Sequence, residues 1–235
     1  MPCKRALVTG GTRGIGAATA IRMVQAGYEV FVTGRSAEAE PPAGCRYLPC
    51  DFADSPALER FAITITELNL SVLVNNAGIN KVGRLDEYSP DDFALIQQVN
   101  VTAPFMLCRA VIPGMRKRGF GRIVNVTSIF AVVSRPGRSA YSASKSALAG
   151  LSRALALEVA AENILVNCIA PGFIDTDLTR QNLGPAGMQE VSASIPMKRL
   201  GQPDEIARCV CFLVSDENTY MTGQNVIVDG GFTCA

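Results

Sequence analysis

Tyr141 and Lys145 stand four residues apart at the start of an Ala/Leu-rich pattern that runs to about Val159. On a helix that spacing puts both side chains on one face, one turn apart. A free phenol, with a pKa of roughly 10, is a poor acid near neutrality, and a neighbouring ammonium favours the phenolate and pulls that value down. The pair can then trade a proton at working pH. Tyr-x-x-x-Lys also recurs by chance in helices, so its meaning depends on its company. The closest company is Ser128, at the end of the apolar strand pattern Gly121 to Thr127.

A second pattern carries a different chemistry. Arg5 to Thr9 reads as a short strand running into Thr9-Gly10-Gly11-Thr12-Arg13-Gly14-Ile15-Gly16, followed by a helical pattern from Ala17 to Ala26 that Gly27 ends. Strand, glycine turn and helix make a pyrophosphate site, because glycines allow close backbone approach and the helix N-terminus attracts anions. The spacing is Gly-x-x-x-Gly-x-Gly, a variant of the usual dinucleotide fingerprint. The next strand, Glu29 to Thr33, ends in Gly34-Arg35-Ser36, without the carboxylate that would accept from the ribose hydroxyls of NAD. Arg35, with Arg13 reaching from the glycine turn, could instead clamp a 2′-phosphate, and the predicted cofactor is NADP(H).

Composition narrows the alternatives. With 235 residues, 48% of them hydrophobic, and a net charge of +1, the chain is expected to form one domain over 1–235 around a large core. Lys and Arg are dispersed, and Arg116-Lys117-Arg118 reads as a solvated helix end, so no nucleic-acid partner is expected. There is no charged-then-apolar leader and no evident apolar stretch of about 18 residues, which predicts a soluble, cytoplasmic protein without a membrane partner. Eight cysteines without an export signal are expected to be reduced, buried small side chains. The absence of histidine and of Cys-x-x-Cys removes the commonest zinc ligands and every Ser-His or Cys-His nucleophile pair; no metal site is predicted.

The elements that must position these groups follow in order. Ala37 to Gly44 is Pro-rich and short, so the second crossover is expected to carry little or no helix. Arg46 to Pro49 is a brief strand ending at Asp51-Phe52, placed to hold an adenine by a side-chain bond and a backbone contact. A helix near 55 to 68 precedes Val72-Leu-Val-Asn-Asn76-Ala77-Gly78, a buried strand whose small-residue mouth leaves room for a cofactor. Residues 90 to 118 form a long helical stretch with Asn100 in an apolar face. A buried asparagine needs partners; this one either satisfies a neighbouring strand or kinks the helix and holds a water for proton relay. Ile164 to Ala170 is a sixth strand, and Pro171 to Thr176 turns away from it. Residues 177 to 196 are small and polar and suit a mobile lid. Pro203 to Val214 is a last helix and Asn225 to Asp229 a last strand. Alternating strands and helices predict an α/β fold: a doubly wound, Rossmann-type parallel sheet of about seven strands with helices on both faces.

Thr9 to Gly16, Asn75-Asn-Ala-Gly78, Asn100, Ser128, Tyr141-x-x-x-Lys145 and Pro171-Gly172 together resemble the short-chain dehydrogenase/reductase family in order and spacing, over essentially the whole chain. Val228-Asp229-Gly230-Gly231 also fits its 3-oxoacyl-carrier-protein reductase branch. The resemblance implies that Tyr141 is the general acid, that Lys145 lowers its pKa and binds the nicotinamide ribose, that Ser128 orients the substrate carbonyl, and that Asn100 anchors a water linking Lys145 to solvent. The implied cofactor contacts are Gly10, Thr12, Arg13, Gly14, Ile15, Gly16, Arg35, Asp51, Phe52, Asn76, Ala77, Gly78, Tyr141, Lys145, Pro171, Gly172, Ile174 and Thr176. The implied activity is NADPH-dependent reduction of a ketone, 3-oxoacyl or small, by a homotetramer. Two features depart from the branch. Glu158-Val-Ala-Ala-Glu162 stands where a basic residue helps dock an acidic acyl carrier protein, which disfavours that partner. The trimmed crossover after Arg35 is similar to dehydrogenases of the family that act on small cyclic diols, so an NAD-linked dehydrogenase of a small cyclic alcohol is the alternative. A non-catalytic dinucleotide sensor is the alternative of another class, disfavoured because the tetrad is intact.

Overall fold

The strands of this chain are short and apolar, and they separate cleanly in the computed structural model, which describes residues 4–235. They are β1 (Arg5–Val8), β2 (Glu29–Gly34), β3 (Cys45–Pro49), β4 (Val72–Asn75), β5 (Gly121–Val126), β6 (Ile164–Pro171) and β7 (Asn225–Val228). All pair in parallel, in the order β3-β2-β1-β4-β5-β6-β7. Every residue of β4, β5 and β6 is buried, as strands covered on both faces must be.

The period of two along each strand divides the core. Leu7, Phe31, Leu73, Ile123 and Val166 point to one face, where α2 (Ser55–Thr66), α4 (Ala103–Arg118) and α5 (Ser139–Val159) supply Leu58, Phe61, Leu107, Val111, Met115 and Leu155. Val8, Val30, Val32, Val74, Val124 and Ile169 point to the other, against Ala20 and Met23 of α1 (Gly14–Gln25) and Ile206, Val210 and Leu213 of α7 (Pro203–Val214). The crossover between β2 and β3 contains no helix, as its prolines predict. The segment expected to be a lid is itself helical: α6 (Asp177–Ser194) breaks at Gly184 (φ 63°, ψ 176°), and of its residues only Val191 is buried.

Residues 90 to 118 are not one regular helix. An α-helix, α3 (Pro90–Gln97), runs into a π turn over Gln98–Thr102 before α4 begins, and Asn100 lies in that turn. The whole run, Pro90–Arg118, is long and apolar enough to cross a membrane by length and composition, contrary to the sequence expectation. Here Leu107, Cys108, Val111 and Met115 spend its apolar side on the core.

The cysteines only partly meet expectation. Cys50, Cys108 and Cys168 are buried, Cys45, Cys209 and Cys211 are half-buried, and Cys234 is exposed. All seven are free thiols, and Cys3 lies outside the described residues.

Candidate active site

In an open parallel sheet ligands bind at the carboxyl ends of the strands, where the order of strands reverses direction. Here that point lies between β1 and β4, and the candidate residues gather along the same rim. The glycine turn after β1 is held by its neighbour across the gap. Thr9 Oγ1 accepts from the amides of Asn76 (2.9 Å) and Ala77 (3.0 Å), and Asn76 Nδ2 donates to the carbonyls of Thr9 (2.9 Å) and Gly10 (3.1 Å). Asn76 therefore shapes the turn with its side chain. Thr9, which sequence reading took only as the end of a strand, is its hydroxyl counterpart.

The turn has the form of a cradle for a dinucleotide. Gly10 and Gly14 have positive φ, and a methyl at Gly16 would lie 2.3 Å from the Gly10 carbonyl. No side chain caps the N-terminus of α1, so its first-turn amides face the cradle. Thr176, the N-cap of α6, closes it on the far side: a Cβ at Gly14 would stand 3.5 Å from Thr176 Cγ2. These features fit a bound pyrophosphate.

Arg13, the N-cap of α1, and Arg35, just after β2, are exposed and, among the described residues, have no ion-pair partner. The position next to them is not vacant. A Cβ at Gly34 would meet Tyr47 Oη at 2.8 Å and Thr12 Cγ2 at 3.1 Å, because Tyr47 from β3 donates its hydroxyl to the Ser36 carbonyl across this spot. Asp51 Oδ1 accepts from the Ala53 amide at 3.0 Å, so one of its oxygens is engaged locally. The Phe52 side chain packs on Phe61 in the core, leaving only its backbone for the rim. Pro171 ends β6, Gly172 abuts Asp229 so closely that a methyl would lie 2.7 Å from its Cα, and Ile174 is buried and bridges to Gly201.

Ser128, Tyr141 and Lys145 meet where β5 and α5 approach the switch point. The Ser128 hydroxyl accepts from the Phe130 amide at 3.2 Å and lies near enough to the Tyr141 phenol to pull its pKa down. Lys145 is 3% exposed and donates to the Val126 carbonyl at 2.8 Å. Its Nζ lies 5.6 Å from the centre of the Tyr141 ring.

The electrostatics correct one expectation. Burial pushes the Tyr141 phenol up; Ser128 and the positive charge of Arg138 pull it down, and Lys145 is not among the groups that do so. The reason is that burial also lowers Lys145, to about 8, and its ammonium is turned toward a carbonyl. Arg138, at the N-cap of α5, was not singled out by its sequence; a basic residue three positions before the tyrosine was the available signal.

Asn100 is completely buried and fully employed. Its Nδ2 donates to the Ile79 carbonyl (2.9 Å) and to Ser144 Oγ (3.0 Å), while Oδ1 accepts from the Ile79 amide (2.9 Å). The carboxamide takes its protein partners from Ile79, just beyond a strand, and from Ser144, and Asn100 stands in the π turn that interrupts the helix. A methyl at Gly78 would stand 3.3 Å from both Asn100 Oδ1 and Lys145 Nζ, so the π turn, the mouth of β4 and the lysine share one small volume. Behind them runs a buried polar chain that sequence reading missed: Asn75 Nδ2 to Asn125 Oδ1 (2.8 Å), then Asn125 Nδ2 to Ser152 Oγ (2.8 Å).

The chain is similar to known proteins over nearly its whole length. Residues 10–233 match the family model described as enoyl-(acyl carrier protein) reductase. The chain is 41% identical over 233 residues to the acetoacetyl-CoA reductase of Shinella zoogloeoides, covering 96% of this chain and 97% of that one. It is 37% identical to the 3-oxoacyl-(acyl-carrier-protein) reductase of Chlamydia trachomatis serovar D, covering 97% and 96%. Among solved structures, an NADP active-site complex from Pseudomonas aeruginosa superposes with a TM-score of 0.89 at 36% identity, covering 97% of this chain and 96% of that one. A 4-hydroxyisoleucine dehydrogenase complexed with NADH superposes with a TM-score of 0.91 at 30% identity, covering 99% of each chain. The chain belongs to the short-chain dehydrogenase/reductase family of oxidoreductases, and its likeness falls in the 3-oxoacyl-carrier-protein reductase branch.

Proposed function

We propose that this protein is an NADPH-dependent reductase of a ketone, of 3-oxoacyl or small free type, working through Tyr141 as general acid. The observation that carries the reading is the convergence of Ser128, Tyr141 and Lys145 beside the glycine cradle at the switch point of the sheet.

The cofactor supplies the hydride, and the chain's own groups do the rest. The cradle from Gly10 to Gly16, with Thr176 opposite, would hold the pyrophosphate. Arg13 and Arg35 would take the 2′-phosphate, and Asp51 with the Phe52 backbone would serve the adenine. Gly78, Pro171, Gly172 and Ile174 would line the nicotinamide end, with Lys145 as the cation for its ribose. Ser128 directs the substrate oxygen to the Tyr141 phenol, which gives up its proton there. Desolvation of the half-buried Tyr141 raises its phenol and holds it in its protonated form, as a general acid must be before the reaction, and the charge of Arg138 eases release of the proton. Asn100 holds the mouth of β4 against α5 through Ile79 and Ser144. Solved relatives with NADP and with NADH support a nicotinamide dinucleotide, and the pair Gly34-Arg35 favours NADP.

The exposed apolar residues Phe105 on α4 and Leu157 on α5, together with Ile227 on β7, support assembly into a homotetramer through those elements. Glu162 is engaged with Arg116 at 2.6 Å and Glu158 is exposed, so the segment from 158 to 162 itself offers no cation to an acidic carrier, which favours a free substrate.

The test is loss of NADPH absorbance over a panel of carbonyl compounds, for wild type and Tyr141→Phe. Removing the transferable proton is expected to lower kcat by about 10²–10⁴-fold with cofactor affinity unchanged. Retention of more than half the wild-type kcat excludes Tyr141 as the acid.

A further inference from the structure

Arg138 is the odd residue of this site. It is 5% exposed, its Nε–H has no hydrogen-bond partner, and no described carboxylate pairs with it. The two Nη groups are not orphaned in this way, so what is left open is one buried charged donor, which is costly unless something else completes it. Its surroundings do not: Phe130 lies 5.7 Å away, close to the limit of a cation–π contact, and the other nearby groups are Tyr141, Tyr88 and a second cation, Arg135. Arg135 stacks over Phe130 (5.8 Å) and over Phe173 (5.3 Å), the residue that follows the Pro171-Gly172 turn. Phe130 in turn meets the Tyr141 ring edge-on at 6.3 Å. Two arginines and an aromatic wall therefore flank the candidate acid. Arg138 and Tyr141, three residues apart across the first turn of α5, share a face.

We infer that Arg138, assisted by Arg135, is the specificity residue for a substrate whose carbonyl is accompanied by a free carboxylate: a short oxo acid in reduction, the corresponding hydroxy acid in reverse. The carboxylate supplies the acceptor that the buried Nε–H lacks, and its binding places the carbonyl at Ser128 and Tyr141. The inference rests on the reading of this site as a carbonyl reductase and specifies its substrate class. No atom of the carboxylate takes part in the reaction: hydride goes to the carbonyl carbon, the Tyr141 proton to its oxygen.

The test compares 2-, 3- and 4-oxopentanoate, each against its methyl ester, with NADPH, for wild type, Arg138→Gln and Arg138→Lys. Charge-assisted pairing with a carboxylate predicts that at least one acid exceeds its ester in kcat/KM by about 10- to 100-fold. Arg138→Gln is expected to lower kcat/KM for that acid by about 10- to 100-fold more than for its ester, both sharing whatever loss of kcat follows from the missing charge beside Tyr141, and Arg138→Lys to restore part of the difference. Equal turnover of acids and esters by the wild type overturns the inference while leaving ketone reduction intact. So does an equal loss on acid and ester in Arg138→Gln, which would mark a structural residue. Calorimetric titration of the corresponding hydroxypentanoates separates the two readings. If none of the six carbonyl compounds is reduced but a hydroxypentanoate binds in wild type and not in Arg138→Gln, the reductase reading falls and the carboxylate site stands.

Discussion

The tie between the π turn and the active-site rim can be measured by removing the Asn100 carboxamide. Asn100→Ala deletes three hydrogen bonds, to the Ile79 amide, the Ile79 carbonyl and Ser144 Oγ. A buried hydrogen bond contributes about 1 kcal/mol net, and more where a partner is left unsatisfied. Two discounts apply. Ile79 is half-buried and can recover water, and Ser144 keeps its 2.7 Å bond to the Tyr141 carbonyl. The expected cost is about 2.5 kcal/mol, which for a chain of this size lowers Tm by about 5–10 °C. Ser144→Ala breaks only one of the three bonds and should cost about 1 kcal/mol, or about 2–4 °C. The double variant should lose about 1 kcal/mol less than the two single losses added together, since they share that bond. The assay is thermal unfolding at fixed protein concentration, which matters if the chain assembles. An Asn100→Ala that melts within 2 °C of wild type, or above Ser144→Ala, would refute the idea that this carboxamide fixes the turn.

Three further outcomes follow from the geometry of the rim. Arg35→Ala should lower kcat/KM for NADPH by about ten-fold and leave NADH nearly unchanged, a modest effect because the arginine is exposed; a wild-type preference for NADH contradicts the assignment. Conversion to NADH by Gly34→Asp requires Tyr47→Ala as well, because the new side chain would otherwise strike the Tyr47 hydroxyl; Gly34→Asp alone should bind both cofactors poorly by fluorescence titration. Lys145, at about 8 when folded and 10.5 when unfolded, carries its full burial penalty below pH 8, and the unfolded chain binds more protons between those values. Stability should therefore rise with pH through that window, by about 2 kcal/mol relative to Lys145→Met between pH 7.5 and 10, in urea titrations; a flat difference contradicts the burial of that charge.

Much of this was legible before any coordinates. Val8, Val32, Val74 and Val124 alternate with Leu7, Phe31, Leu73 and Ile123, and that period of two, broken by glycine turns, gives the strands and the two faces of the core. The glycines at 10, 14 and 16 announce themselves because only a missing Cβ permits the approach of 2.3 Å seen at Gly16. What stayed hidden depends on distant parts of the chain meeting. Tyr47 fills the space above Gly34 from a neighbouring strand, Thr9 becomes a hub only through Asn76, and the unpaired state of Arg138 is defined by groups that fail to arrive. The protonation of Tyr141 was misjudged for a related reason: a four-residue spacing brings Lys145 alongside, but burial and the direction of its ammonium toward Val126 decide which charge is felt.

The seven parallel strands have a consequence for how such a chain can change. Their buried central members carry the core, while two segments at the rim of the candidate site contribute almost nothing to it. Residues 79–89 contain no buried side chain, and α6 contains one. A lineage, or an engineer, can exchange these stretches for others of different chemistry with little penalty in folding. Substrate range is thus free to drift quickly while the hydride machinery beneath it stays fixed.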